Sequence, residues 1–309
     1  MDRTLIEKVT SMVLEELKVE QHSASVKPPA SMRMVKIYNN LNTKPTFGEV
    51  TDTTRSDEEA IEEPTFYSTV ASPKNKEKLL ENQEKTPARI GIGRAGVRPK
   101  TNALLKFRLD HAAAVDAVYG KVTEDLLSRM KWFSVQTSTE TQEEYIRRPD
   151  LGRKLNEDSK KLIESQCEKN PQVQIVISDG LSSEAIEQNA EDVYLSLSQS
   201  LNQLGFQTGT PFFVKNGRVA VMDEIGELLQ PDVIILLIGE RPGLISAESL
   251  SAYICYQPRK GTIEADRMVV SNIHRGGIPP AEAGAYLGNV IKKVLTFKAS
   301  GVSLLQKEK

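Results

Sequence analysis

The sequence contains few of the residues from which disulfide scaffolds and metal centres are built. Two cysteines and three histidines occur among its 309 residues. Cys167 and Cys255 stand in patterns typical of a helix and a strand, which argues against a disulfide framework or a zinc cluster and for a reducing compartment. His111 and His274 have no carboxylate or second imidazole at metal-binding spacing. We interpret Cys167 as a core residue rather than a nucleophile.

Long apolar runs and an excess of charge are also missing. No stretch approaches the roughly 20 apolar residues of a membrane helix, and the amino-terminal residues do not read as a secretory signal. The 40 basic and 42 acidic residues give a net charge of −2, so no global field attracts nucleic acid or acidic lipid. These absences predict a soluble, intracellular protein that binds neither membranes nor nucleic acid.

One aliphatic run, residues 233–238, dominates the carboxyl-terminal half and ends abruptly in Gly239-Glu240-Arg241-Pro242-Gly243. The run is too short for a membrane span and too uniform for a strand with one exposed face. It predicts a strand buried on both faces, at the centre of a parallel sheet that helices cover. Ligands of such sheets bind outside the carboxyl ends of the strands, where residues 239–243 would lie.

Alternating strand and helix patterns surround this run. Residues 89–150 favour helices, including one that begins at Thr101 and stops at Gly120. Residues 151–309 predict an α/β domain with a doubly wound, mostly parallel, Rossmann-like sheet. Its predicted strands are residues 173–177, 211–214, 233–238, 252–256 and 268–273, and its predicted helices are residues 155–167, residues 185–204 and a last helix opened by Pro280.

Three loops rich in small or polar residues follow predicted strands, at residues 178–182, 239–243 and 271–277. Any one of them is explained by a tight turn. Because the carboxyl ends of parallel strands meet at one edge, the three together favour a ligand crevice.

Other motifs carry less weight. Residues 91–96 match the Gly-x-Gly-x-x-Gly dinucleotide fingerprint, but residues 84–89 before them are not a buried strand, so we do not interpret the match as a nucleotide site. No Ser-His-Asp arrangement is evident. A group of basic residues forms either a solvated face or a contact for a partner's acidic surface; its members are Arg94, Arg98, Lys100, Lys106 and Arg108.

The amino-terminal 88 residues have a different sequence pattern from the rest of the chain. Residues 1–20 have apolar residues at helical spacing, from Leu5 to Leu17, and charged residues largely on the other side. Residues 21–88 are polar and punctuated by proline, which predicts a flexible tether. Since an isolated helix of this length is marginal in water, its apolar stripe implies a partner surface.

From about residue 90 onward the chain resembles the small subunit of ethanolamine ammonia-lyase. The resemblance is carried, in order, by residues 93–101, 104–108, 110–112, 148–153, 176–182, 209–214, 239–244 and 271–274. Residues 21–88 show no such resemblance. The family's fold, a helical region followed by a Rossmann-like domain, agrees with the pattern above.

The resemblance implies an adenosylcobalamin enzyme that converts ethanolamine to acetaldehyde and ammonia by radical rearrangement. It places catalysis in a separate large subunit, so no catalytic residue is expected in this chain, and it places the cofactor between the two subunits. The cofactor is held with its own dimethylbenzimidazole on cobalt, and the sequence lacks the Asp-x-His-x-x-Gly signature of domains that replace this base with histidine.

The family positions that contact the cofactor correspond to Val219, Glu240 and Val269. At the last of these, members of the family can have cysteine, and valine keeps a backbone contact possible. Read from the residues alone, the carboxylate of Glu240 has an alternative role in an ion pair with Arg241 or another base.

Residues 1–20 also look like the short targeting helices that load enzymes into bacterial microcompartments, which implies a shell or cargo partner and a microcompartment location. The alternative is a helix that docks on the protein's own globular part; a membrane-surface helix is less favoured, because Glu7, Glu15 and Glu16 offset the few lysines. For the globular part, the competing hypotheses are a free-standing nucleotide-dependent Rossmann enzyme and a purely structural adaptor.

Overall fold

The computed structural model describes residues 70, 72–86, 89–244 and 246–308. The predicted helix at residues 1–20 and most of the predicted tether at residues 21–88 lie outside the described residues. Within the described part of that tether, α1 (Lys76–Glu84) is a helix that the sequence pattern did not predict. It begins at Asn75, whose side chain accepts a hydrogen bond from the backbone N–H of Lys78 at 2.8 Å.

The remaining elements alternate along the chain. The strands are β1 (Arg94–Ala95), β2 (Arg98–Pro99), β3 (Phe133–Gln136), β4 (Val173–Ser178), β5 (Phe212–Lys215), β6 (Val233–Gly239), β7 (Leu250–Tyr256) and β8 (Arg267–Ile273). The helices are α2 (Thr101–Tyr119), α3 (Glu124–Met130), α4 (Gln142–Arg147), α5 (Glu157–Gln166), α6 (Glu191–Gln203), α7 (Val221–Leu229), α8 (Pro280–Phe297) and α9 (Gly301–Lys307). A short α segment, Ser183–Ala185, and a π-helical turn, Ile186–Ala190, lead directly into α6.

Six strands form one mixed sheet in the order β3-β5-β4-β6-β7-β8. The pairings of β3 with β5, β5 with β4 and β4 with β6 are parallel, whereas β6 with β7 and β7 with β8 are antiparallel. The prediction of an α/β fold is therefore confirmed, but the doubly wound, Rossmann-like parallel sheet is not. The difference is explained by the connections from β6 to β7 (residues 240–249) and from β7 to β8 (residues 257–266). Connections this short, without a crossover helix, join antiparallel neighbours.

The sheet is packed on both faces, as the aliphatic run predicted. Every residue of β6 is buried. Val233, Ile235 and Leu237 contribute to a core with α3, α6 and α8. The residues between them, Ile234 and Leu236, contribute to a second core with α5 and α7. The alternation places β6 between two helical layers, which is why no polar side chain interrupts it.

The predicted strands and the longer predicted helices are confirmed, with ends within one or two residues for the strands. Gly120 ends α2 as expected. The sequence pattern did not predict β3, α4, α7 or α9. Among the described residues, no helix is long and apolar enough to cross a membrane.

Helix α2 has two buried residues, both alanines, and several large apolar residues that are exposed. Ala103 and Ala117 are buried against the rest of the chain, while Leu105 and Leu109 are 60% and 65% exposed. Leu104, Val115 and Tyr119 are exposed too, and at 3.6 residues per turn all five fall on one side of the helix. These five apolar side chains thus face away from the protein's own core.

Candidate functional site

The three predicted loops meet at one edge of the sheet. Strand β8 runs in the same direction as β6, because two antiparallel steps restore the direction, so the ends of β4, β6 and β8 lie together. The backbone N–H of Leu181 donates to the carbonyl of Gly239 at 3.1 Å, and that of Asn272 donates to Oε1 of Glu240 at 3.1 Å. The predicted convergence is confirmed, although the sheet is mixed.

A fourth segment, the loop after β5, reaches the same edge without having been predicted there. The backbone N–H of Asn216 donates to Oδ1 of Asp179 at 2.7 Å, and that of Gly217 donates to Oγ of Ser178 at 3.1 Å. These bonds tie the loop after β5 to the loop after β4. Its next residues, Arg218 and Val219, are thereby placed at the site.

Close backbone contact between the loops after β4 and β6 depends on Gly180. Its φ is +53°, and a Cβ at this position would lie 2.4 Å from the carbonyl oxygen of Gly239. Any side chain would therefore both strain the backbone and push the two loops apart.

The four segments surround a cavity of about 400 Å³. Val219, Glu240 and Val269, the residues singled out by the family resemblance, all line it. The other lining residues are Tyr145, Gly180, Leu181, Arg218, Ile238, Gly239, Arg241, Ser251, Tyr253 and Ser271. The cavity combines aliphatic and aromatic walls with a few charged and hydroxyl groups, the composition typical of small-molecule sites.

Glu240 is held by its neighbours through one oxygen. Its Oε1 accepts hydrogen bonds from the hydroxyl of Ser251 and from the backbone N–H of Asn272. No lysine or arginine of the described residues forms an ion pair with it, so the alternative of a pair with Arg241 is wrong for this structure. Its Oε2 makes no hydrogen bond with the described part of the chain and is available to a ligand.

The apolar part of the cavity comes from β6, β7, β8 and the loop after β5. Val269 lies on the edge strand β8 and is 48% exposed. Its partner across the ladder is Tyr253, and the pKa of that phenol is raised, chiefly by burial and further by the nearby charge of Glu240. Val219 is half-buried and Ile238 is buried. A flat apolar ligand could therefore contact aliphatic and aromatic carbon on this side.

Tyr145 and Arg218 are cavity residues whose role sequence reasoning missed. Tyr145 lies on α4, a helix that the sequence pattern did not predict. Thr141 marks the start of that helix, since its hydroxyl accepts from the backbone N–H of Glu144 at 3.2 Å. A threonine with glutamate two and three residues later is a recognised helix-start signal and could have revealed it.

Asp179 is the most strongly perturbed acid at this edge of the sheet. It is 9% exposed, and burial raises its pKa to about 7, against hydrogen bonds from Asn216 and Ser178 that lower it. Its folded pKa thus lies above the ordinary value, so ionisation of Asp179 costs stability.

The other candidate residues take structural roles. Both cysteines are buried and free, and burial raises the pKa of each thiol to about 11, which agrees with Cys167 as a core residue. His274 accepts at Nδ1 from the backbone N–H of Gly276 and contacts Oδ1 of Asn272 through Nε2. Its proton is therefore assigned to Nε2. Across the described residues, no group of three or more His, Cys, Asp or Glu is placed to hold a metal ion.

The Gly-x-Gly-x-x-Gly match forms part of a hairpin rather than a phosphate loop. Strands β1 and β2 pair antiparallel within and just after it, and α2 begins only at Thr101. A dinucleotide fingerprint instead joins a buried parallel strand directly to a helix. This geometry removes the main support for a nucleotide-dependent enzyme.

Replacing Asp179 with asparagine should stabilise the full chain at high pH only. The cost of burying the carboxylate is absent near pH 4, grows as the pH rises, and is complete above the folded pKa of about 7. Since asparagine keeps an acceptor for the N–H of Asn216, we expect Asp179→Asn to raise the unfolding free energy by about 3 kcal/mol at pH 8 and to leave it almost unchanged at pH 4.

Urea denaturation at the two pH values measures this difference. Asp158→Asn is the matched control, since its side chain is 96% exposed, and it should change stability little at either pH. Destabilisation by Asp179→Asn at pH 8, or an equal increase in the free energy of unfolding at both pH values, would show that the ionised carboxylate does not destabilise the fold.

Comparison with known proteins places the chain in a family. Residues 76–305 match the family Ethanolamine ammonia-lyase light chain (EutC). Curated proteins named ethanolamine ammonia-lyase small subunit are similar over most of its length. The protein from Clostridium perfringens is 48% identical over 235 residues, 76% of this chain and 80% of the relative. That from Fusobacterium nucleatum is 52% identical over 230 residues, 74% and 78% of the two chains.

These matches confirm the resemblance carried by the sequence blocks, and the family match begins at α1, ahead of the first block. A relative from Listeria monocytogenes, 47% identical over 76% of this chain and 80% of its own, bears the same name. The chain belongs to the ethanolamine ammonia-lyase light chain family.

Proposed function

We propose that this chain is the small subunit of an adenosylcobalamin-dependent ethanolamine ammonia-lyase and that it contacts the cofactor through the cavity at the edge of its sheet. The observation that carries the proposal is the grouping of Val219, Glu240 and Val269. They lie on three different segments, yet all three line one cavity. The reaction is the conversion of ethanolamine to acetaldehyde and ammonia.

The chemistry of the cavity suits a corrin. Corrin is a broad, mostly apolar ring edged with amides, and it carries a nucleotide tail. Val219, Tyr253 and Val269 offer apolar contact, while the free Oε2 of Glu240 can accept a hydrogen bond from an amide. The apolar ring and the amides at its edge could thus both be contacted by residues of this chain.

The size of the cavity supports a shared cofactor. Cobalamin is much larger than a space of about 400 Å³, so this chain would cover only part of it and a second protein would enclose the rest. The cavity lining includes no histidine among the described residues. This suits a cofactor that keeps its own dimethylbenzimidazole on cobalt.

The outward face of α2 supports assembly with a large catalytic subunit. Exposed leucines at positions 104, 105 and 109 form an apolar surface on this helix, and such surfaces mark protein interfaces. Arg94, Arg98 and Arg108 are exposed beside it. The combination fits a partner surface that is apolar at its centre and acidic at its rim.

In this arrangement the chain binds and shields the cofactor while the large subunit binds the substrate. Adenosylcobalamin supplies the radical chemistry once bound. The residues of this chain orient the ring and exclude water from its covered face, and none of them is assigned a proton transfer.

The proposed function requires both subunits. We expect the purified chain with adenosylcobalamin to release no acetaldehyde from ethanolamine, and the complex co-expressed with the large subunit to release it. A coupled alcohol dehydrogenase assay measures the product. Acetaldehyde release by the chain alone would refute the assignment, as would failure of the two chains to co-purify.

Glu240 provides a test of the cavity itself. If its Oε2 accepts a hydrogen bond from the corrin edge, Glu240→Ala should weaken cobalamin binding by the complex about fivefold, the equivalent of about 1 kcal/mol. Equilibrium dialysis measures the affinity, and thermal melting of the variant checks its fold. Glu248→Ala, outside the cavity lining, serves as the control and should bind normally. An unchanged affinity in Glu240→Ala would restrict this carboxylate to its bonds with Ser251 and Asn272.

We further propose that residues 1–20 address the enzyme to a bacterial microcompartment, through its shell or cargo. The support is in the sequence: an apolar stripe precedes a long polar, proline-punctuated stretch, so the segment could act far from the globular part. A helix that docks on the protein's own globular part is the alternative.

A fusion of residues 1–20 to a fluorescent protein, expressed in cells that form microcompartments, distinguishes a targeting segment from a helix that docks on the protein's own globular part. We expect punctate fluorescence from the fusion and diffuse fluorescence when Leu5→Glu and Val9→Glu are combined, because burying a charge in the stripe costs several kcal/mol in order of magnitude. Deleting residues 1–20 should leave turnover by the complex unchanged. Equal punctate signals from both fusions would show that the apolar stripe does not target the protein to the microcompartment.

A further inference from the structure

Arg218 is a positively charged side chain in the cavity that has no acidic partner in the described part of the chain. Its Nη2 donates to the backbone carbonyl of Tyr145 at 3.0 Å. Its Nε is shielded from solvent and has no hydrogen-bond partner there. Arg218 lines the cavity, so an anionic ligand there would give the guanidinium the counter-charge that the described residues do not supply.

Comparison with Arg267, which is buried, shows what is missing. The guanidinium of Arg267 pairs with Asp223 at 2.7 Å and with Glu264 at 3.0 Å. Arg218 has neither kind of contact, and the cavity's only carboxylate, Glu240, is engaged with Ser251 and a backbone N–H. The charge of Arg218 is therefore not neutralised by the fold.

The position of Arg218 is fixed from several sides. Its backbone N–H donates to the carbonyl of Gly152 at 2.7 Å. The guanidinium lies 4.2 Å from the ring centroid of Tyr145, a distance at which cation–π attraction acts. Tyr145 is fully buried, and its hydroxyl donates to the carbonyl of Gly217 at 2.8 Å. The cation is thus held in place before any ligand arrives.

We infer that Arg218 binds the phosphodiester of the cofactor's nucleotide tail, an inference that rests on the proposed function. The phosphodiester is the one anionic group of cobalamin, whereas the amides at the corrin edge are neutral. A guanidinium presents paired N–H donors that match two phosphate oxygens, and the bond is strengthened by charge on both sides. The guanidinium hydrogens beyond the one bonded to the Tyr145 carbonyl supply these donors.

The test compares two ligands that differ in the tail. Cobinamide has the corrin ring but lacks the phosphodiester and the dimethylbenzimidazole. With the complex of both subunits, equilibrium dialysis gives the affinities for cobalamin and for cobinamide at low and at high salt. We expect Arg218→Gln to weaken cobalamin binding about tenfold, to leave cobinamide binding unchanged, and to reduce the dependence of cobalamin affinity on salt.

Two further variants complete the design. Arg147→Gln removes a charge from the same region at an exposed position outside the cavity and should behave like the wild type. Arg218→Lys keeps the charge but loses the fork. It should weaken cobalamin binding less than Arg218→Gln does and again spare cobinamide, which preserves the test should the glutamine variant fail to assemble.

The outcomes separate the inference from the function on which it rests. An equal loss of affinity for both ligands in Arg218→Gln or Arg218→Lys would overturn the inference, because Arg218 would then act on the ring or on the loop. Failure of the wild-type complex to bind either ligand would instead overturn the proposed function, and the inference with it.

Discussion

Burial of β6 on both faces is the constraint on which the rest of the structure depends. Its side chains alternate between two cores, so helices must cover both sides of the sheet, and neither layer can be lost without exposing a row of aliphatic residues. The same strand pairs with β4 in parallel and with β7 in antiparallel fashion along its whole length. It therefore fixes the register of the sheet's centre, and with it the position of Glu240 just beyond its end.

The mixed sheet preserves the site that a parallel sheet would have produced. Two reversals between β6 and β8 bring Ser271 and Asn272 back to the edge where β4 and β6 end. The short connections also bring Ser251, at the start of β7, directly beside Glu240. An antiparallel neighbour thus contributes a hydroxyl that a crossover helix would have kept away.

How far the sequence predicts this structure depends on the range of the interactions involved. The strand at residues 233–238 follows from its own composition, since only burial on both faces explains an unbroken aliphatic run. The direction of β7 and the existence of β3 depend on partners distant in the chain, and β3 is a four-residue strand with one buried side chain, Val135. Glu240 was found through the family resemblance. The unpaired Nε of Arg218 emerged only when α4 and the loop after β5 were seen in contact, because no local pattern reports it.

The charged residues at this edge of the sheet lie in different environments, depending on whether they line the cavity. Asp179 lies behind the wall, where burial works against its charge. Glu240, on the wall, accepts hydrogen bonds from the hydroxyl of Ser251 and the backbone N–H of Asn272. Arg218 supplies a fixed cation from another segment of the same wall. In the proposed complex, alkylated cobalt and its corrin carry a positive charge and the phosphodiester a negative one. Glu240 and Arg218 place an anion and a fixed cation on separate segments of a wall that also includes Arg241, so they could orient the ligand as well as attract it.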